Sequence, residues 1–106
     1  MAFASNILFS IDTALQQKGL VNVETITTVK RLDLQDSTIQ ILTNSSGGDV
    51  DCYLPEEKDG IVIWVRSEGT NGIAVRDAVT TYATLGTDEA CLMACDGSSW
   101  HLVIKA

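Results

Sequence analysis

The chain is short of basic residues, of histidine, of proline and of aromatic side chains, and each shortage narrows what it can do. Seven Lys and Arg stand against fourteen Asp and Glu, giving a formal charge of −7 and a pI near 4.3. A field of that sign repels phosphates, which disfavours wrapping DNA or RNA or sitting on an anionic membrane. The single histidine, His101, leaves little to act as a general base, which argues against most hydrolytic chemistry. No stretch approaches the roughly 18 apolar residues of a membrane span. The segment from Met1 to Asp12 has no basic start, and no long apolar run precedes a small-residue cleavage site, so it does not read as a signal peptide. Cys52, Cys91 and Cys95 are odd in number, and one chain cannot close them into a disulfide framework. In an extended strand Cys91 and Cys95 lie about 13 Å apart, beyond the roughly 7 Å that a bridge allows. Reduced thiols in a chain made in a cytoplasm are the expectation. Without a secretory signal the sequon Asn44-Ser45-Ser46 is discounted.

What is present is the composition of one globular domain: 106 residues, 45% hydrophobic and 20% charged. The lone Pro55 and eight glycines punctuate a chain rich in Val, Ile and Thr, which suit a pleated surface. Candidate strands are Ile39–Thr43, Val50–Leu54, Ile61–Ser67, Gly72–Arg76, Val79–Leu85, Ala90–Cys95 and Trp100–Lys105. Their starts recur about every ten residues, the rhythm of an all-β fold and specifically of an antiparallel sandwich or barrel. Val50, Cys52 and Leu54 share one face of their strand and Asp51 the other. Ile61-Val62-Ile63-Trp64-Val65 is apolar in both phases, as a strand covered on both faces would be. Ile61, Ile63, Trp64, Val65 and Trp100 are therefore the expected core anchors, with Gly97 turning the four-residue hairpin before Trp100.

Residues 1–36 read as an arm outside a 37–106 sandwich domain, the alternative being that the segment packs back on the domain as an ordinary helix and edge strand. Phe3, Ile7, Leu8, Ile11 and Leu15 recur at helical spacing, Ser5 or Asn6 can cap, and Lys18-Gly19 resembles a stop, which predicts a short amphipathic helix. Val21 to Arg31 is strand-like, but its alternation changes phase between Val23 and Ile26, which predicts a bulge or a segment paired with something else. Phe3, Ile7, Ile11, Leu15, Val21 and Val23 are the candidate partner-interface residues, because an apolar stripe outside the core marks an interface.

A search for chemistry returns no catalytic residue, no cofactor-binding residue and no metal ligand. His101, between Trp100 and Leu102, reads as a surface or interface histidine. Cys91 and Cys95 lack the Cys-x-x-Cys spacing of a zinc knuckle, and Cys91, Met93 and Cys95 simply share one side of a strand. Asp49 and Asp51 lack the further carboxylates of a calcium loop. Neither Ser45-Ser46-Gly47-Gly48 nor Gly69-Thr70-Asn71-Gly72 ends in the Lys-Ser/Thr of a phosphate-binding loop. Trp64, Trp100, Tyr53 and Tyr82 have rings that can stack on sugars, although aromatics in a β domain more often serve core or interface.

Over residues 37–106 a layout emerges. The strand Ile39–Thr43 leads through a polar turn to Val50–Leu54 and the pair Leu54-Pro55. An acidic turn ending at Gly60 precedes Ile61–Val65, then come Glu68-Gly69-Thr70-Asn71-Gly72 and Ile73-Ala74-Val75. The chain closes on Asp96-Gly97-Ser98-Ser99-Trp100 and a final strand. This resembles the small β domains of tailed-bacteriophage virions, found as capsid decoration (cement) proteins and as modules of tail fibres and tailspikes. The resemblance implies no catalytic residues and an antiparallel β-sandwich or jelly-roll-like domain that is commonly trimeric. It further implies a structural role: a homotrimer on the outer capsid surface that clamps major capsid proteins together, made in the host cytoplasm, with no nucleic-acid or membrane partner. A chain of this length starting at Met1 favours a free-standing decoration protein. A tail-fibre, connector or receptor-binding component is the alternative, as is a small carbohydrate-binding module using Trp64 or Trp100.

Overall fold

A computed structural model describes residues 20–106, and among the described residues the protein is all-β, with no helix. Nine strands run in chain order: β1 Val21–Ile26, β2 Lys30–Arg31, β3 Ile39–Asn44, β4 Val50–Tyr53, β5 Val62–Ser67, β6 Ile73–Arg76, β7 Thr81–Leu85, β8 Ala90–Cys95 and β9 Trp100–Lys105. They form a five-stranded sheet ordered β1-β3-β5-β8-β9 and a four-stranded sheet ordered β2-β4-β6-β7. The two sheets bury their facing sides in one core. The expected helix with its stripe Phe3, Ile7, Leu8, Ile11 and Leu15 lies outside the described residues.

The sheets are mixed, which corrects the antiparallel expectation. From β1 to β6 the chain steps to the opposite sheet after every strand. Strand n+2 therefore lands beside strand n in the same direction. β1 pairs β3 and β3 pairs β5 in parallel, as do β2 with β4 and β4 with β6. A residue meets its counterpart roughly twenty positions later, the length of one turn of a coiled stack. Only the last strands follow the antiparallel plan: β6 with β7, β5 with β8 and β8 with β9. A ten-residue rhythm says where strands fall and is silent on which sheet receives each one.

The segment 21–32 belongs to the sandwich, so the structure sets no boundary at residue 36. β1 runs in unbroken register against β3 from Val21↔Ile39 to Ile26↔Asn44, and Ile26 and Leu32 sit in the core cluster. The expected bulge is absent from this strand. Its phase change arises because Asn22 and Glu24 take inward positions at the rim of the core, ahead of buried Ile26.

The interior is drawn from both sheets. Leu42, Ile63, Val65, Cys91 and Met93 from one side meet Cys52, Ile73, Val75, Ala83 and Leu85 from the other. Of the expected anchors, Ile63, Val65 and Trp100 are buried and Ile61 packs partly against them. Trp64 is the correction: it is 38% exposed. Ile63 and Val65 face inward, so strict alternation turns Val62, Trp64 and Arg66 outward, and β5 is covered on one face only. Trp100 closes the far end, 3% exposed, its indole N–H donating to the Pro55 carbonyl at 3.2 Å. Gly97, at φ 98°, allows the tight hairpin in which the Asp96 carboxylate accepts from the Ser98 and Ser99 amides.

A candidate interaction face on the five-stranded sheet

Register places the outward residues of the five-stranded sheet in rows. Val21, Ile39, Trp64, Leu92 and Ile104 lie side by side across all five strands. Val23, Ile41, Arg66 and Ala90 form the next row, and Val62, Ala94 and His101 a third. Cross-strand neighbours at such spacing make a continuous surface. Val23 is 71% exposed, and Val21, Val62 and Ile104 are each more than 40% exposed. Among the described residues no Asp or Glu occupies an outward position of these strands. Apolar surface left in water in this way costs about 25 cal/mol per Å² that contact with a partner would recover.

The charges at the margin of this face are tied up. Arg66 reaches Glu68 and Asp88, each at 3.2 Å. His101 Nε2 lies 2.8 Å from Asp96 Oδ2. That hydrogen bond, with the Ser98 and Ser99 amides, holds the Asp96 carboxyl down at about 2.

The opposite face is polar. Arg31, Tyr53 and Arg76 are register partners across β2, β4 and β6. Both guanidinium groups lie against the Tyr53 ring, 4.3 and 5.5 Å from its centroid, in cation–π geometry. Arg76 also approaches Asp51 at 3.9 Å. Beyond them, the Tyr82 hydroxyl donates to Asp77. Desolvation, then Asp77, push that phenol up to about 12.

The β1–β2 end of the sandwich is closed by polar side chains. Lys30 points between the sheets and meets Glu24 at 2.8 Å. Asn22 donates to Gln40 Oε1 at 2.8 Å, and Gln40, 1% exposed, donates to the Ser37 carbonyl. The Lys30 hydrogen bond holds the Glu24 carboxyl below its ordinary range, and the same bond raises Lys30.

The structure sorts the sequence candidates. Val21 and Val23 project from the apolar face, whereas Phe3, Ile7, Ile11 and Leu15 lie outside the described residues. Trp64 moves from expected core to the centre of the face, and Trp100 is too buried to stack on a glycan. Ile39, Ile41, Val62, Leu92 and Ile104 were missed as surface residues. For Val62 the signal is a strand apolar in both phases, which reads as double coverage and in fact marks a core face backed by an open apolar one; for Ile39, Ile41, Leu92 and Ile104 alternation alone does not single out the outward phase.

The remaining motifs are absorbed by architecture. Asp49 accepts the Gly72 amide at 2.9 Å, and Asp51 faces Arg76. Among the described residues no three His, Cys, Asp or Glu side chains are grouped to hold a metal. Asn44 is buried and donates to the Gly48 and Gly72 carbonyls, tying two loops together. The cysteines are free and inward. Burial pushes the Cys52 thiol up to about 12 and the Cys91 thiol to about 11, which makes them poor nucleophiles. The chain matches no protein-family model, no curated protein and no solved structure.

Proposed function

We propose that the protein is a non-enzymatic structural component of a tailed-phage virion, a decoration protein that sits on the outside of the head as a homotrimer and stabilises the shell. The observation that carries this reading is the acid-free apolar face of the five-stranded sheet on a chain of charge −7. Such a face is suited to protein contact, and the acidic remainder suits a particle exterior where no phosphate needs neutralising. The mechanism is linkage. A protein that binds only the assembled shell lowers the free energy of that state and raises the force or temperature needed to open it.

The test is direct. Purified protein is mixed with expanded heads that lack decoration, and bound copies per head are counted after sedimentation. Saturable binding in multiples of three, with a higher temperature of DNA release, is the expected result. Heads that sediment without the protein remove the reading.

One observation favours a second reading, a tail-fibre component. Parallel strands that alternate between two sheets make a plan that lengthens by adding turns to the stack, as an elongated fibre module requires. Binding to isolated tails but not to heads would select it.

A further inference from the structure

We infer that the outer face of the five-stranded sheet is the contact between copies of this chain, with Trp64 at its centre. The inference deepens the proposed homotrimer and rests on that reading for the number of copies, while the contact itself is argued from the face alone.

Three observations identify a second copy as the occupant. The first is charge. Two copies each carrying −7 repel one another, and every approach that brings acidic surfaces together adds to that repulsion. The outward positions of β1, β3, β5, β8 and β9 hold no carboxylate among the described residues, and the acids that border the face, Glu68, Asp88 and Asp96, are held against Arg66 and His101, so copies meet here with the least opposing charge. A basic partner would instead be drawn to the acidic surfaces elsewhere.

The second observation is area. The open fractions of Val21, Val23, Val62, Trp64 and Ile104 leave on the order of 400–500 Å² of apolar surface. With half-buried Ile39, Ile41 and Leu92 between them, the patch comes to roughly 500–700 Å², the larger part of the roughly 800 Å² per partner of a standard interface.

The third is shape and chemistry. A sheet face packs on another sheet face at about 10 Å when both present interdigitating apolar side chains; identical faces meet that condition by construction, pairwise about a twofold axis or, as the homotrimer requires, with three faces turned inward so that each meets the other two. Trp64 stands third in the five-residue row, with Ile39 and Leu92 on either side. A half-exposed aromatic ringed by apolar neighbours is the pattern of an interface anchor.

The experiment is sedimentation equilibrium of the full-length chain over a range of concentrations, with Trp64→Glu, Val62→Glu and, on the opposite face, Thr84→Glu. The expected result is a reversible oligomer in the parent chain and in Thr84→Glu. Trp64→Glu and Val62→Glu should weaken it by about thirtyfold or more while keeping the parent circular-dichroism spectrum. Raising the salt should tighten association, because it screens the repulsion between acidic copies and leaves the apolar contact intact. Acrylamide quenching should fall on one of the two tryptophans as the oligomer forms, Trp100 being buried throughout. A monomeric full-length chain overturns the inference. So does an oligomer indifferent to both β5 substitutions, or one that falls apart as salt rises. A reversible dimer that responds to Trp64→Glu upholds the contact and removes the trimer from the proposed function, so the two ideas fail separately.

Discussion

On one side of the sandwich the outward positions of β1, β3 and β5 are Val, Ile, Trp and Thr, with Arg66 as their only charge. On the other, the outward positions of β2, β4 and β6 include Arg31, Asp51, Tyr53 and Arg76. Both faces obey the same alternation and enclose the same core, so the fold does not demand the difference. The polar face satisfies itself: its arginines lie on Tyr53 and its Asp77 holds Tyr82. The apolar face has no partner within the described residues. An outer surface that folding leaves free to be polar, and that is nevertheless apolar, reports on what the protein meets.

The comparison can be broken or sharpened by substitution, beginning with the inner positions that serve as reference. Trp100→Ala should cost about 3–5 kcal/mol, a large part of the 5–15 kcal/mol that a domain commands. An unchanged thermal midpoint would show that inner and outer tryptophans are equivalent. Next, Asn44→Ala strips the Gly48 and Gly72 carbonyls of their shared donor and should cost about 1–3 kcal/mol by urea denaturation. A loss below that range would mean that the loops are tied by their backbone alone.

A smaller effect belongs to the sealed end. Lys30→Met removes a part-exposed ion pair and should cost at most about 1 kcal/mol. The Glu24 carboxyl is depressed in the folded state, so its contribution is complete above its ordinary value of 4.5 and fades as pH falls through the lower folded value. Lys30 is raised, so its contribution is complete below 10.5 and is lost as pH climbs through the higher folded value. The parent-minus-variant stability difference should therefore be flat between those limits and shrink outside them. The Asp96–His101 pair behaves in the same acid sense: its support is present above 3.8 and disappears as pH falls towards about 2. An NMR titration of the Asp96 carboxyl in His101→Ala should move its midpoint upward. Smallest of all, Trp64→Ala at concentrations where the chain is dispersed should change stability by no more than about 0.5 kcal/mol. A loss near that of Trp100→Ala would return Trp64 to the core and end the contrast between the faces.

Strand positions were legible because Val, Ile and Thr runs end at Gly, Asn and Asp turns. Seven candidate segments match β3 to β9 within a few residues. The largest offset, at Val79, has a local cause: Asp77 accepts the Val79 and Thr80 amides and holds that residue in the turn before β7. Pairing was not legible. Nothing local in Ile39–Asn44 distinguishes a strand lying beside Val21–Ile26 from one lying beside Val50–Tyr53, since the choice depends on how the preceding turn leaves its sheet. β1 was misjudged because inward Asn22 and Glu24 are polar, and only the distant Gln40 and Lys30 make those positions acceptable. Of the apolar residues of the candidate face, Val21 and Val23 were visible as interface candidates. Val62 and Trp64 were hidden by reading apolar residues in both phases of β5 as two-sided burial, and Ile39, Ile41, Leu92 and Ile104 because alternation alone does not say which phase of a strand meets the second sheet.

Alternation between the sheets also has a consequence for biosynthesis. Among the described residues β1 gains its first sheet neighbour only when β3 is made, and β2 only when β4 is made, so none of these early strands can settle as a hairpin. β8, near the end of the chain, inserts between β5 and β9, and Trp100 fills the core against a carbonyl 45 residues upstream. A nascent chain thus exposes half-built sheets until translation is almost finished. Its refolding should fall in the millisecond-to-second range typical of non-local pairing. Messages truncated before β9 should yield products that proteases clear.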